Sequence, residues 1–172
     1  MKYTLKNIKL FAEHSNMIES VWDKDQIKYT VKAWEYLKNK RSINLKDILY
    51  IRKVIMTPLR KDIAGKLRTC DVMVGGRICP PHEEVPRLIN KWTENYGKGP
   101  QVITHLNAGE EEYKGDMEKA CKVAHISFEH VHPFVDGNGR SGRLIYLFQR
   151  YILGLSFEYI DYNNRYDYYS WF

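Results

Sequence analysis

The chain has 172 residues, of which 44% are hydrophobic and 28% are charged. This length is enough for one domain with a hydrophobic core and too short for two ordinary domains, and the composition excludes a disordered chain. The net charge of +6 favours an anionic ligand such as a nucleotide, a phosphate group or a nucleic acid, although solvated lysines on helix faces explain much of it.

The sequence shows no sign of a membrane or secretory segment. No apolar run is long enough to cross a bilayer. The N-terminal stretch contains lysines and has no small-residue cleavage site, so we expect no secretory signal and a cytoplasmic location. The three cysteines are an odd and sparse set, which indicates reduced thiols and no disulfide framework.

Three helices are predicted in the first 60 residues, which contain no glycine and one proline. Their apolar residues recur three and four positions apart, as on one face of a helix. Asn44 is a suitable N-cap for the third helix. The predicted ranges are 8–21, 24–39 and 44–56.

A β-hairpin is predicted within residues 65–81. Strand-forming residues such as Val72 and Val74 precede Gly75 and Gly76, which form a turn signal. Two consecutive prolines then end the hairpin.

The remainder of the chain is typical of helices joined by loops. The predicted helices cover 83–96, 111–130 and 140–153, with a loop at 97–109 and Gly154 as the stop of the last helix. Because strands are too few to organise a sheet, the sequence predicts a mainly α fold with one hairpin.

The loop between the last two of these helices carries reactive groups. His132 can accept or donate a proton near neutral pH. Asp136 offers the hard oxygen ligands that Mg²⁺ prefers. Gly137, Asn138 and Gly139 allow the backbone to turn tightly and to bring N–H groups close to a ligand.

The helix that follows the loop adds an anion site. Its first N–H groups and its positive dipole end face the loop. Arg140 and Arg143 are three residues apart on this helix, and guanidinium groups bind phosphate oxygens in a bidentate way. Each feature alone is more often structural, but together they predict phosphate-transfer chemistry.

The stretch HPFVDGNGRSGR, residues 132–143, resembles the signature of the Fic family, H-x-F-x-[D/E]-G-N-G-R-x-x-R, at every specified position. The hairpin region, the helix ending in AHISFEHVHPF and the terminal NNRYDYYSWF are similar to further parts of that family's fold. The resemblance implies a Fic-type helical bundle with a small β-hairpin flap over residues 45–172. Residues 1–44 would form an N-terminal helical segment.

The family resemblance also implies a reaction, the transfer of AMP from ATP to a Tyr, Ser or Thr hydroxyl of a target protein. His132 would be the general base that deprotonates the hydroxyl, and Asp136 would hold Mg²⁺ on the ATP phosphates. Arg143 would bind the γ-phosphate, and Phe134 would anchor the loop. The other phosphate-binding residues would be Gly137, Asn138, Gly139 and Arg140. No carboxylate partner for His132 is evident nearby in the sequence.

Two further segments acquire expected roles from the resemblance. The hairpin residues Val74, Gly75, Gly76 and Arg77 would hold the target by strand addition. Tyr168 and Tyr169 would lie near the nucleotide, although an interpretation as two core tyrosines of a last helix is equally good.

An inhibitory motif is the last part of the resemblance. HSNMIESVW is similar to the Fic motif [S/T]-x-x-x-E-[G/N], with Ser15 and Glu19 in place and a serine at position 20. The resemblance implies that Glu19 pairs with Arg143 and occupies the γ-phosphate site, since a carboxylate imitates a phosphate oxygen for a guanidinium. From the residues alone, Glu19 is an ordinary solvent-facing residue of an amphipathic helix.

Other functions stay open at this point. A Fic-type enzyme could transfer UMP, phosphocholine or phosphate, and the chain could instead be a non-catalytic nucleotide- or nucleic-acid-binding module. The intact His132 and Asp136 argue against the second alternative, because an anion-binding module needs no base. Removal of AMP, self-modification and oligomerisation also stay open, and nucleic acid and membrane partners are not expected.

Overall fold

The computed structural model describes residues 2–100 and 110–172 of the chain. Their fold is mainly helical, as the sequence predicts, and it contains one small antiparallel hairpin. The strands are β1 (Met73–Val74) and β2 (Arg77–Ile78). The helices are α1 (Leu5–Ile18), α2 (Ile27–Leu37), α3 (Leu45–Met56), α4 (Val85–Tyr96), α5 (Glu110–Val131), α6 (Asn138–Ile152) and α7 (Arg165–Tyr169).

The predicted helix boundaries were wrong at the first two helices. Helix α1 begins and ends three residues earlier than predicted, because Thr4 caps its first turn by accepting a hydrogen bond from the Asn7 amide. At its other end, Ser20 takes a left-handed conformation that stops the helix. The start of the second predicted helix is a 3₁₀ turn over Lys24–Gln26.

Other local predictions are confirmed. The Asn44 side chain accepts from the amide of Asp47, whose carboxylate accepts from the Asn44 amide, so the two residues form a capping box. Gly154 ends α6 with a φ of 72°. The hairpin strands are only two residues long each, which is shorter than the predicted strand-forming stretch. The predicted loop at 97–109 lies mostly outside the described residues.

Helix α6 is the centre of the molecule. Its residues from Arg140 to Arg150 are all buried, and helices α1, α2, α3 and α5 pack around it. A continuous hydrophobic core joins Phe11 of α1, Ile51 of α3, Phe128 of α5 and Leu144 of α6. The N-terminal residues also contact the segment that follows α6, because the Tyr3 hydroxyl donates to the Leu155 carbonyl at 3.1 Å.

Residues before and after position 44 share this core. The predicted division of the chain at that position stays a prediction. Among the described residues, no helix combines the length and the apolar character needed to cross a membrane.

Candidate active site

The loop between α5 and α6 is held in a strained and well-anchored shape. His132 has a φ of 47°, which is uncommon for a residue with a side chain. Phe134 is fully buried in the core, as expected for an anchor. The Asn138 side chain accepts from the Phe134 amide at 2.9 Å and donates to the Phe134 carbonyl at 2.8 Å. These contacts fix where His132 stands relative to α6.

The Asn138 side chain stabilises the loop, and the role of this residue in phosphate binding stays a prediction. Its side chain faces the loop interior and is 2% exposed, so a phosphate could meet only its backbone N–H. The side chain faces inward because it supplies hydrogen-bond partners for the Phe134 amide and carbonyl, which would otherwise need partners from the backbone.

Two buried arginines that the sequence reasoning missed hold the loop from outside. Arg52 of α3 donates to the Asp136 carbonyl at 3.1 and 3.3 Å, and its guanidinium lies 4.4 Å from the centre of the Phe134 ring. Arg68 donates to the His132 carbonyl at 2.8 Å and also to the carbonyls of Cys70 and Pro80. Arg68 thus links the loop to the segments that flank the hairpin.

The start of α6 carries the free amides of the predicted anion site, whose binding role stays a prediction. Gly137 is its N-cap, with a φ of 80°, and the next amides are the first turn of the helix, which has no intrahelical acceptor. A Cβ atom at Gly137 would lie 2.6 Å from the Met56 sulfur, and one at Gly139 would lie 2.1 Å from a Glu19 carboxylate oxygen. Both glycines are therefore needed for close packing around this helix end.

Asp136 stands at the open side of the loop. Its side chain is 47% exposed, and one carboxylate oxygen lies 3.7 Å from Arg140. One accessible carboxylate fits Mg²⁺, which is usually held by one or two carboxylates together with substrate phosphates. Arg140 is buried, and its guanidinium donates to the Met56 sulfur at 3.2 Å.

Arg143 is 1% exposed and is the most heavily bonded group of the site. It donates to the Ser15 hydroxyl at 3.0 Å, to the Ser15 carbonyl at 2.9 Å and to the Glu19 carboxylate at 2.7 Å. The Tyr168 hydroxyl lies 3.4 Å away. Arg143, Ser15 and Glu19 are thus brought together from α6 and the end of α1, in the pairing that the resemblance implies.

Electrostatics stabilise this ion pair. Burial opposes ionisation of the Glu19 carboxyl, but the charge and the hydrogen bond of Arg143 outweigh it and lower the pKa of Glu19 below its usual range. Burial lowers the pKa of Arg143, but the nearby Glu19 and Tyr168 have the larger, opposite effect. The pKa of Arg143 therefore lies above its ordinary value. Both groups are therefore charged at neutral pH.

His132 has a carboxyl neighbour that the sequence reasoning missed. A Glu129 carboxylate oxygen lies 3.7 Å from His132 Nδ1, and the Glu129 carbonyl lies 3.3 Å from the same nitrogen. Residues three apart on a helix face each other, so this spacing was the signal that could have identified Glu129. Burial lowers the pKa of His132, which favours the neutral imidazole needed by a base.

Tyr168 and Tyr169 have different environments. Tyr168 is buried, with its hydroxyl between Arg143 and His125 Nε2, which lies 3.0 Å away. Tyr169 is 45% exposed and its hydroxyl donates to the Ile18 carbonyl at the end of α1. Tyr168 thus supports Arg143, and Tyr169 contacts the helix that carries Glu19.

A cavity of about 460 Å³ joins these groups. The predicted residues that line it share access to one space between the hairpin, α6 and the C-terminus: Glu19, Val74, Gly75, Arg77, His132, Gly139, Arg143, Tyr168 and Tyr169. Its lining also includes Glu129 and Phe172, which the sequence reasoning missed. The other predicted site residues are not part of this lining: Ser15, Gly76, Asp136, Gly137, Asn138 and Arg140.

The helical bundle, with a hairpin beside the cavity and a histidine and two arginines around the N-terminus of α6, has the arrangement expected of the Fic family. Residues 42–149 match the Fic/DOC family, and the chain belongs to this family.

Among named relatives, the protein adenylyltransferase Fic of Drosophila mojavensis is 32% identical over 109 residues, which are 63% of this chain and 20% of that protein. The protein of the same name from Nematostella vectensis is 24% identical over 136 residues, 78% of this chain and 29% of the relative. The chain therefore spans less than a third of the length of these relatives.

Solved structures show the same fold. A part of Fic-1 from C. elegans superposes with a TM-score of 0.75 at 20% identity, covering 97% of this chain and 55% of that chain. A Fic-domain signaling protein from Bacteroides thetaiotaomicron gives a TM-score of 0.73 at 20% identity, covering 96% and 70%. The predicted Fic-type bundle is confirmed.

Proposed function

We propose that the protein transfers AMP from ATP to a hydroxyl group of a protein side chain. The observation that supports this function most strongly is the single cavity in which His132 and Arg143 meet the N-terminal end of α6. A base at one end and an anion site at the other fit a hydroxyl nucleophile and a triphosphate. The named function of the relatives, protein adenylyltransferase, agrees with this chemistry.

In the proposed reaction, His132 Nε2 takes the proton of the target hydroxyl. The hydroxyl oxygen forms a bond to the α-phosphorus of ATP, the bond from that phosphorus to the bridging oxygen breaks, and pyrophosphate leaves. Arg140, Arg143 and the first amides of α6 offset the negative charge of the phosphates. Asp136 would hold Mg²⁺, which supplies further neutralisation of this charge when bound.

The target would be held by the hairpin. Met73 and Ile78 are 68% and 79% exposed, and within the described residues the strands β1 and β2 pair only with each other. The outer edge of a hairpin can pair with an extended segment of another chain through backbone hydrogen bonds. This mode suits a protein target whose hydroxyl must reach His132. The identity of the target, self-modification, oligomerisation and a cytoplasmic location stay predictions.

Glu19 is proposed as a brake on this reaction. Its carboxylate accepts a hydrogen bond from the Arg143 guanidinium, to which the γ-phosphate would otherwise bind, and it packs against Gly139 at the start of α6. A nucleotide would therefore compete with Glu19 or bind with its phosphates displaced. Displaced phosphates would put the α-phosphorus out of line with the incoming hydroxyl, and in-line geometry is a requirement of the transfer.

The test compares transfer of label from α-labelled and γ-labelled ATP in the presence of Mg²⁺. The Glu19→Gly variant should label itself or lysate proteins from the α position at least about 10-fold faster than the wild type. His132→Ala in the same background should abolish the label but retain ATP binding. Label from the γ position, or from UTP only, would replace AMP transfer by phosphate or UMP transfer. ATP binding with no label in any variant would leave a non-catalytic binding module.

A further inference from the structure

Glu129 is a buried acid in the wall of the active-site cavity to which the proposed reaction gives no task. The residue is 8% exposed and belongs to the last turns of α5. Its Oε1 atom is buried and makes no hydrogen bond within the described residues, while Oε2 lies 3.7 Å from His132 Nδ1. A buried carboxyl with an unused oxygen costs free energy, so a role at this position is expected.

The protein makes room for this side chain at one specific position. A Cβ atom at Gly142 of α6 would lie 2.2 Å from Glu129 Oε1 and 3.0 Å from His125 Cε1. Any other residue at position 142 would displace the Glu129 carboxyl. Gly142 stands at an unspecified position of the Fic signature, so the signature itself does not account for this glycine.

The backbone of Glu129 determines which nitrogen of His132 carries the proton. The Glu129 carbonyl lies 3.3 Å from His132 Nδ1 and accepts a hydrogen bond from Arg77 at 3.3 Å. A carbonyl oxygen can only accept, so the neutral imidazole carries its hydrogen on Nδ1. Nε2 then has a free lone pair, which is the form a general base needs.

Charged and titratable groups surround the Glu129 carboxyl from every side. The groups that face it are Glu19 of α1, Arg77 of the hairpin, His125 and His132 of its own segment, Arg143 of α6 and Tyr168 of α7. Burial raises its pKa to about 8, Arg143 opposes this shift, and the nearby Glu19 carboxylate adds to it. The Glu19 carboxylate therefore adds to the effect of burial and favours the neutral form of Glu129.

We propose that Glu129 is a positioning residue for His132: together with its own carbonyl, its carboxyl keeps the His132 proton on Nδ1 and, when ionised, stabilises the imidazolium that forms as Nε2 takes the target proton. This role rests on the proposed AMP transfer, in which His132 is the base. It resembles in physical terms the way a carboxylate orients and stabilises the histidine of a hydrolase triad.

The arrangement also connects the brake to the base. Burial is the main reason why Glu129 is protonated and neutral at pH 7, and the negative charge of Glu19 adds to it while Glu19 pairs with Arg143. When Glu19 leaves, Arg143 faces Glu129 without that competitor and favours its ionised form. Glu19 would then have two inhibitory effects. It would block the phosphate site at Arg143, and it would weaken the electrostatic stabilisation of the His132 imidazolium by Glu129.

The experiment measures His132 directly by NMR and AMP transfer in parallel, using Glu129→Gln in the wild type and in the Glu19→Gly background. In the Glu19→Gly background, Glu129→Gln should lower the pKa of the His132 imidazole by about one unit, because an anion within reach of the imidazolium is lost. The effect should be smaller in the wild type, where Glu129 is neutral. The acid limb of the pH–rate profile should move to lower pH by the same amount, and kcat should fall about 10-fold with little change of KM for ATP.

Two controls keep the test decisive. Glu94→Gln removes the same charge from an exposed position on α4 and should change neither the pKa of His132 nor kcat. Gly142→Ala should displace the Glu129 carboxyl and reproduce the lower pKa of His132, with melting curves to show that the variant is folded.

An unchanged pKa and tautomer of His132 in the Glu19→Gly, Glu129→Gln protein would overturn the positioning role, whatever the activity. If Glu129→Gln shifts the pKa of His132 equally in the presence and absence of Glu19, the connection between Glu129 and the brake is overturned. Because the NMR measurement needs no catalysis, a failure of AMP transfer would contradict the proposed function separately.

Discussion

At the scale of single residues, Ser20 is the place where the chain departs from the Fic inhibitory motif, which has glycine or asparagine there. Its φ of 58° lies in the left-handed region. The Ser20 amide donates to the Met17 carbonyl and the Val21 amide to the Asn16 carbonyl, each at 3.0 Å, which is a Schellman motif that ends α1. Glu19 is the C-cap residue of this helix. The strain of a serine in this conformation is thus located next to the residue that contacts Arg143.

Ser20→Gly should relieve that strain. We expect the free energy of unfolding to rise by about 0.5–1 kcal/mol, since the gain in the left-handed conformation exceeds the added entropy of the unfolded chain. The basal rate of AMP transfer should fall, because Glu19 is held more firmly. Urea unfolding and α-label transfer measure the two effects. Ser20→Ala should neither raise the free energy of unfolding nor lower the rate of AMP transfer. Faster labelling by Ser20→Gly would contradict the link between this cap and the brake.

At the scale of elements, Gly137 connects the active-site loop to α6 and fixes the direction in which the helix starts. This residue begins α6 in a left-handed conformation, and it lies against Met56 of α3. The Ser141 amide donates to the Gly137 carbonyl at 3.1 Å, so the first helical hydrogen bond starts from the same residue. The direction in which the first amides of α6 point is therefore set by one glycine and its contact with α3.

Gly137→Ala should disturb both stability and activity. A Cβ atom would lie 2.6 Å from the Met56 sulfur in a backbone region that L-residues rarely adopt, so we expect a loss of about 2 kcal/mol or more of stability and loss of ATP binding. Thermal unfolding and calorimetric titration with ATP and Mg²⁺ measure these effects. Gly115→Ala on α5 is the matched control, since no atom of the described residues lies within 4 Å of its Cβ, and it should stabilise by up to about 1 kcal/mol. Full ATP binding by Gly137→Ala would contradict the role of this turn.

The elements also show which features can be predicted from the sequence. Helical periodicity identified the long helices, and the signature loop identified the residues around His132, because both signals are local. Arg52 and Arg68 could not be found in this way. Each looks like a solvated charge in its own segment and becomes a loop anchor only through contacts 84 and 64 residues away in the chain. The predicted ends of α1 were wrong because the caps at Thr4 and Ser20, and not the spacing of apolar residues, determine where the helix begins and ends.

At the scale of the whole molecule, the segment that carries Glu19 is part of the folded core. Ile8, Phe11 and Ala12 of α1 are buried among the other helices. The C-terminal segment closes over the same helix, since the Tyr162 amide donates to His14 Nδ1 at 3.0 Å and the Tyr169 hydroxyl donates to the Ile18 carbonyl. Undocking α1 would therefore expose much of the core. Glu19, whose side chain is 35% exposed, can leave Arg143 at far lower cost by changing its side-chain conformation.

The ion pair of Glu19 with Arg143 predicts that the contribution of Glu19 to the free energy of unfolding depends on pH. Because Arg143 lowers the pKa of Glu19 in the folded protein below the ordinary value of 4.5, the contact stabilises above that value and is lost as the pH falls through the folded pKa. At pH 7, Glu19→Gln should reduce the free energy of unfolding by about 1–2 kcal/mol, a modest amount because the pair is partly exposed and Arg143 keeps its bonds to Ser15.

Urea unfolding of the wild type and of Glu19→Gln between pH 7 and pH 3.5 measures this contribution. The two stabilities should converge as the pH falls below 4.5, because protonation of Glu19 makes the wild type resemble the amide variant. Glu13→Gln, an acid on the same helix, serves as the control for a general loss of charge and should show no such convergence. A gap that persists at low pH would mean that packing of residue 19, and not its charge on Arg143, holds the end of α1 to the active site.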